Sequence, residues 1–150
     1  MLYFAYGSNM DPAQMRQLCP GSQAAGMGVL RDYRLCFPRQ SHKRGCGVAS
    51  IEPAEGKETW GVVYRMTAAD LASLDRFEGY RAGRPAEDNR YNRVAIRVEI
   101  DGVPTDAETY IAIAEKNPPP PNAAYLAQLR DGAMHHGLPD EYRTFLAALG

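Results

Sequence analysis

The 150-residue chain has 45% hydrophobic and 23% charged residues and a formal net charge of -1, the composition of an ordinary globular protein. Neither sign of charge dominates and no dense Lys/Arg block occurs, so the balance calls for neither nucleic acid nor an anionic membrane as partner. No run approaches the ~20 apolar residues of a bilayer span, and Cys19, Cys36 and Cys46, an odd set without close-pair spacing, argue against a disulfide framework and for a reducing, cytoplasmic compartment.

The length suits one domain over residues 1–150. The opening Met1-Leu2-Tyr3-Phe4-Ala5-Tyr6 lacks the basic leader of a signal peptide. It reads instead as a short buried strand over 2–6 that ends in a tight turn at Gly7-Ser8-Asn9. Asp11-Pro12 predicts a helix start, with Asp11 as N-cap and Pro12 at the first helical position, running to about Leu18 before Pro20-Gly21. Loose alternation from Val29 to Phe37 predicts a strand, and the polar residues 39–46 an exposed loop. Val48–Ile51 and Thr59–Met66 read as two further strands, the second with Trp60, Val62 and Tyr64 on one face. Thr67-Ala68-Ala69-Asp70 resembles a capping box and opens a helix to about Glu78, closed by Gly79.

After a polar stretch, strands at 91–100 and 105–114 flank Asp101-Gly102, a strong hairpin signal. Pro118–Pro121 is a stiff extended link, and helices at about 122–135 and 140–149 complete the chain. Five or six strands mixed with four helices predict an α+β protein.

Two places invite chemistry. At Tyr6-Gly7-Ser8-Asn9 a strand hands over to a helix start; Gly7 admits φ > 0, and free N–H groups there form a cradle for a carboxylate or an oxyanion, although the same residues serve equally as a plain turn. The second is Glu78. With Leu71 and Leu74 it falls at i, i+3 and i+7, only about 20° around the axis from Leu71. Either it is aimed at the core, where desolvation raises a carboxylate pKa toward that of a useful base, or it bends out to water at the end of its helix. The neighbours Asp75 and Arg76 are expected to point elsewhere, into solvent. His42, His135 and His136 match no metal-ligand spacing with the cysteines, and Ser8 and Ser50 lack the setting of a hydrolase nucleophile. Tyr91, Tyr110 and Tyr125 are expected to be core residues with satisfied hydroxyls, one or two of them lining a pocket.

Taken together, these segments resemble the γ-glutamylcyclotransferase family. The likeness begins at Tyr3-Phe4-Ala5-Tyr6-Gly7-Ser8-Asn9-Met10 and continues through Trp60-Gly61-Val62-Val63-Tyr64, Leu74-Asp75-Arg76-Phe77-Glu78-Gly79 and the Tyr91 strand. It ends with Tyr125 and the segment from Gly132 to Tyr142, in the family's order along nearly the whole chain. Asn9 fits the branch nearest γ-glutamylcyclotransferase proper better than the glutathione-specific branch.

The resemblance implies a small mixed β-barrel with flanking helices. It also implies Glu78 as catalytic acid/base, Tyr6, Gly7, Ser8 and Asn9 as the loop holding the glutamyl group, and Tyr91 and Tyr125 as pocket residues. The implied reaction cyclises a γ-glutamyl amine or amino acid to 5-oxoproline. Its nucleophile is the substrate's own α-amino group, so neither metal nor cofactor is called for. The expected partner is a small γ-glutamyl molecule, on a monomer or homodimer. Two alternatives stay open: a non-catalytic binder of a γ-glutamyl-like ligand, and a cyclotransferase for a larger γ-glutamylated intermediate or γ-glutamyl-lysine.

Overall fold

A computed structural model describes residues 1–150 and shows five strands closed into a barrel, with four α-helices packed around it. The elements are β1 (Leu2–Ala5), α1 (Pro12–Leu18), β2 (Gln23–Ser41), β3 (Cys46–Arg65), α2 (Ala68–Glu78), β4 (Tyr91–Ile100), β5 (Val103–Ala112), α3 (Ala123–His135) and α4 (Asp140–Ala147). The barrel order is β1-β3-β2-β4-β5. β1 closes it, antiparallel to β3 from Leu2↔Arg65 to Ala5↔Val62 and parallel to β5 at Tyr3↔Glu108. A strand with partners on both edges and packing on both faces must be apolar throughout, which explains the unbroken run Tyr3-Phe4-Ala5, all buried.

The α+β barrel expected from the sequence is present, but its strands are longer than predicted. β2 and β3 form one antiparallel ribbon of 19 and 20 residues, so the stretches 48–51 and 59–66 belong to a single strand. Pro53 and Gly56 do not interrupt it, because residues 52–58 run in an exposed arm that pairs only with β2. Bulges at Ala24/Gly26, Arg31/Tyr33 and Cys36/Arg39 bend the ribbon round the barrel. At the middle bulge Asp32 takes φ 64° and its carboxylate accepts from the Gly56 amide at 2.9 Å. The loop expected over 39–46 contracts to the turn 42–45, since Arg39↔Val48, Gln40↔Gly47 and Ser41↔Cys46 remain paired. The face assignment around Trp60 is also altered: Val62, Val63 and Tyr64 are all buried, because β3 packs on both sides.

Local chemistry governs the remaining ends as anticipated. Asp101 (φ 49°) and Gly102 (φ 77°) make a two-residue turn with both central residues left-handed, joining β4 to β5. Thr67 and Asp70 complete a reciprocal capping box at the start of α2, and Gly79 (φ 73°) closes it. Glu78 is thereby fixed as the last helical residue of α2. No helix is long and apolar enough to cross a membrane.

Candidate active site

A cavity of about 610 Å³ opens where β1, the β2–β3 turn, the end of α2, β4 and α3 converge. The structure brings Tyr6, Gly7, Ser8, Asn9, Glu78, Tyr91 and Tyr125 together on its wall. The sequence separates these residues by more than a hundred positions; the barrel unites them because β1 is its central closing strand.

The turn after β1 is built around Asn9, which is 4% exposed. Its carboxamide nitrogen donates to the Tyr3 hydroxyl at 2.9 Å and to Glu78 Oε1 at 3.2 Å. Its Oδ1 accepts from Gln14 Nε2 at 2.7 Å, and its backbone carbonyl accepts from the Tyr64 hydroxyl at 3.0 Å. The side chain is therefore held on both polar ends and can point its donor only one way. Residues Ser8–Met10 form a single 3-10 turn, whose first N–H groups have no partner within it. Gly7 has φ -122° and does not use the left-handed freedom expected of it. Its constraint is space: a Cβ would lie 3.3 Å from the Ala49 Cβ and 3.6 Å from the Tyr125 hydroxyl.

Glu78 is half-buried on the cavity wall with a neutral amide as its hydrogen-bond donor. Burial pushes its pKa up to about 7; the Asn9 bond and the more distant Arg90 and Arg44 pull the other way without cancelling the rise. A carboxyl of that kind holds and releases a proton near neutrality.

The tyrosines fix the frame. Tyr91 donates to the Ala49 carbonyl at 2.6 Å, and the Tyr125 hydroxyl accepts from the Ala49 amide at 2.8 Å, so β4 and α3 grip the same residue of β3. Tyr6 donates to the Tyr110 carbonyl at 2.5 Å. Burial raises the pKa of Tyr6 and Tyr91 well above the usual phenol value, and Tyr125 rises for the same reason. These phenols stay protonated at neutral pH and act as donors or rigid walls.

Three contributors are not singled out for the site by the sequence. Tyr3 was legible as a core aromatic, but its bond to Asn9 required the turn's geometry. Gln14 reaches back from α1 to Ser8 Oγ at 2.9 Å as well as to Asn9. Arg44, in the β2–β3 turn, donates to Gln14 Oε1 at 3.0 Å and Gln128 Oε1 at 2.8 Å, and its guanidinium lies 5.0 Å from the Tyr125 ring centroid. One expectation is overturned. Asp75 is not free in solvent: its Oδ1 accepts from the Tyr110 hydroxyl at 2.6 Å and from Arg93 Nε at 3.0 Å. Arg76 is exposed, yet lies at the cavity edge.

The γ-glutamyl cyclotransferase, AIG2-like family model matches residues 3–128. The γ-glutamylcyclotransferases of Mus musculus and Homo sapiens are each 31% identical over 153 residues, spanning 99% of this chain and 78% of theirs. A solved γ-glutamyl cyclotransferase structure superimposes with a TM-score of 0.89 at 29% identity, covering 100% of this chain and 88% of that one. A yeast cyclotransferase specific to glutathione shares the fold alone, with a TM-score of 0.60 at 14% identity.

Proposed function

This chain belongs to the γ-glutamyl cyclotransferase, AIG2-like family, and from that premise we propose that it closes the γ-glutamyl group of a small substrate into 5-oxoproline, with Glu78 as the acid/base. The observation that carries the proposal is a carboxyl with a pKa of about 7, oriented by Asn9 and facing the Tyr6–Asn9 turn across one cavity.

The substrate arrives as an ammonium. Glu78 takes one proton, and the freed α-amino nitrogen attacks the γ-carbonyl, forming the ring C–N bond and placing negative charge on the carbonyl oxygen. Glu78 hands its proton to the departing nitrogen as the original amide C–N bond breaks. The ring nitrogen returns a surplus proton through the same carboxylate, and it leaves with the amine. The electron pairs balance without any external reactant.

An α-ammonium of pKa about 8 and an ordinary glutamate of about 4.3 differ by nearly 4 units, an uphill transfer of about 5 kcal/mol. A carboxyl raised to about 7 cuts that to about 1.4 kcal/mol. In this reading the backbone N–H groups of Gly7, Ser8 and Asn9 receive the oxyanion, and Tyr91 and Tyr125 wall the chain into the folded shape that cyclisation needs. Orientation of that kind is worth about 7–11 kcal/mol.

The test is to incubate the purified protein with a panel of γ-glutamyl amino acids and γ-glutamyl amines and to quantify 5-oxoproline chromatographically. Product formed in step with released amine supports the reading; a folded protein inert across the panel refutes it.

A further inference from the structure

Five cationic side chains line the cavity, Arg39, Lys43, Arg44, Arg76 and Arg90, against Glu78 as the one carboxylate. In a chain of net charge -1 this is a marked segregation of charge. Outside the cavity five arginines, Arg31, Arg34, Arg93, Arg97 and Arg143, each pair with an acid. None of the five cavity cations does so. Arg44 donates to the two glutamine side chains, Arg39 to the Ile113 carbonyl at 3.2 Å and Arg90 to the Phe77 carbonyl at 3.1 Å. The acids bonded to this wall are turned to neutral donors, Asp11 to Gln128 Nε2 at 3.0 Å and Glu115 to the Gln40 amide at 2.8 Å.

The cations also divide by position. Arg39 and Arg44 are half-buried in the wall, Arg39 on the Ile113 carbonyl and Arg44 over the Tyr125 ring, and form the inner pair. Lys43, Arg76 and Arg90 stand exposed at the rim. A γ-glutamyl group brings one α-carboxylate to the inner end, and two cations already serve it. The outer three exceed the single α-carboxylate of a leaving amino acid with a neutral side chain, and they repel a cationic side chain.

Resting on the cyclotransferase reading, we infer that the preferred leaving group is acidic: a dicarboxylic amino acid joined through its α-amino nitrogen, with Lys43 and Arg76 as specificity-determining residues that attract its carboxylates. A cleft lined by one sign of charge concentrates an oppositely charged substrate, and a surface array of this kind weakens with salt. The geometry disfavours γ-glutamyl-lysine, whose leaving group carries an ammonium.

The experiment compares γ-glutamyl-glutamate with γ-glutamyl-glutamine, its isostere with a neutral side chain and one carboxylate fewer, at low and at high ionic strength, on the wild type and on the double variant Lys43→Gln/Arg76→Gln. The wild type should prefer the acidic dipeptide by roughly tenfold in kcat/KM at low salt, the preference shrinking as salt is added and falling toward unity in the double variant. Equal kcat/KM for the two dipeptides in the wild type, or a preference that the double variant leaves intact, overturns the inference while leaving the cyclotransferase reading standing. Should neither dipeptide react, the wider γ-glutamyl panel decides the cyclotransferase reading separately. Calorimetric Kd values for the same pair then decide the inference: tighter binding of the acidic dipeptide supports it, and equal affinities refute it.

Discussion

The carboxamide nitrogen of Asn9 lies 3.2 Å from Glu78 Oε1, joining the turn after the first strand to the last residue of a helix 69 positions later. The same nitrogen is 2.9 Å from the Tyr3 hydroxyl, and the Oδ1 of Asn9 is held by Gln14. A buried amide so constrained fixes the direction of the carboxyl it touches and moderates the rise in proton affinity that burial causes.

Replacing Asn9 by Ala should therefore do more than loosen the turn. The Asn9 bond stabilises the charged carboxylate, so its loss raises the Glu78 pKa above its present value of about 7. The acid limb of kcat/KM should move to higher pH, and activity at pH 7 should fall by more than the limb's displacement alone explains, because the carboxyl also loses its aim. A pH–rate profile on one γ-glutamyl amino acid checks this; an unmoved limb would show that Asn9 does not tune Glu78.

The same carboxyl leaves a signature in stability. Its pKa is higher in the folded chain, about 7, than in an unfolded one, about 4.3. The folded state thus holds the proton more tightly, and the stability this proton provides is complete below about pH 4 and is lost as the pH rises through 7. Glu78→Gln carries no such proton. Its stability relative to wild type should rise between pH 4 and 8 by about 2–3 kcal/mol, the full shift discounted for a half-buried group. Thermal unfolding of both proteins across that range measures it, and a difference independent of pH would contradict the assignment.

Gly61, under the first strand, and Gly7, on the cavity wall, should respond for steric reasons of different weight. At Gly61 a Cβ would come within 2.3 Å of the Ala5 carbonyl oxygen, so Gly61→Ala must push β1 and β3 apart and should cost several kcal/mol, on the order of other overpacked core changes. Gly7→Ala meets the Ala49 Cβ at 3.3 Å at an ordinary φ of -122°. That change should cost less than about 1 kcal/mol of stability and show itself mainly in KM. Urea unfolding and steady-state kinetics on the two variants separate the effects.

Asp75 should behave as a positioning residue. Its loss in Asp75→Ala leaves the Tyr110 hydroxyl unpaired and costs about 1–3 kcal/mol. Arg93 keeps Glu108 as an ion-pair partner. Tyr110 holds Tyr6 through its carbonyl, so KM should rise as well, and Asp75→Asn, which retains an acceptor, should recover much of both losses. A stability loss with unchanged KM would confine Asp75 to the fold.

How far the sequence went is visible in these same residues. Capping chemistry at Thr67–Asp70 and Gly79 located the end of α2, and with it Glu78, because those signals are local. The Asp101-Gly102 turn was legible for the same reason. The length of the β2–β3 ribbon was not, since the partner strand supplies the hydrogen bonds that carry it past Pro53 and Gly56. Asp75 was read as solvated because helical spacing cannot show that Tyr110 and Arg93 arrive from neighbouring strands. The cationic rim had no periodicity at all, being assembled from a turn, a helix end and a strand start.

The central claim is that Glu78 moves the protons of a cyclisation. Initial rates of 5-oxoproline formation by wild type and Glu78→Gln, both folded at the assay temperature and saturated with substrate, test it most directly. Loss of about 10²–10⁴-fold in kcat is the predicted result. A variant that turns over at the wild-type rate would contradict it.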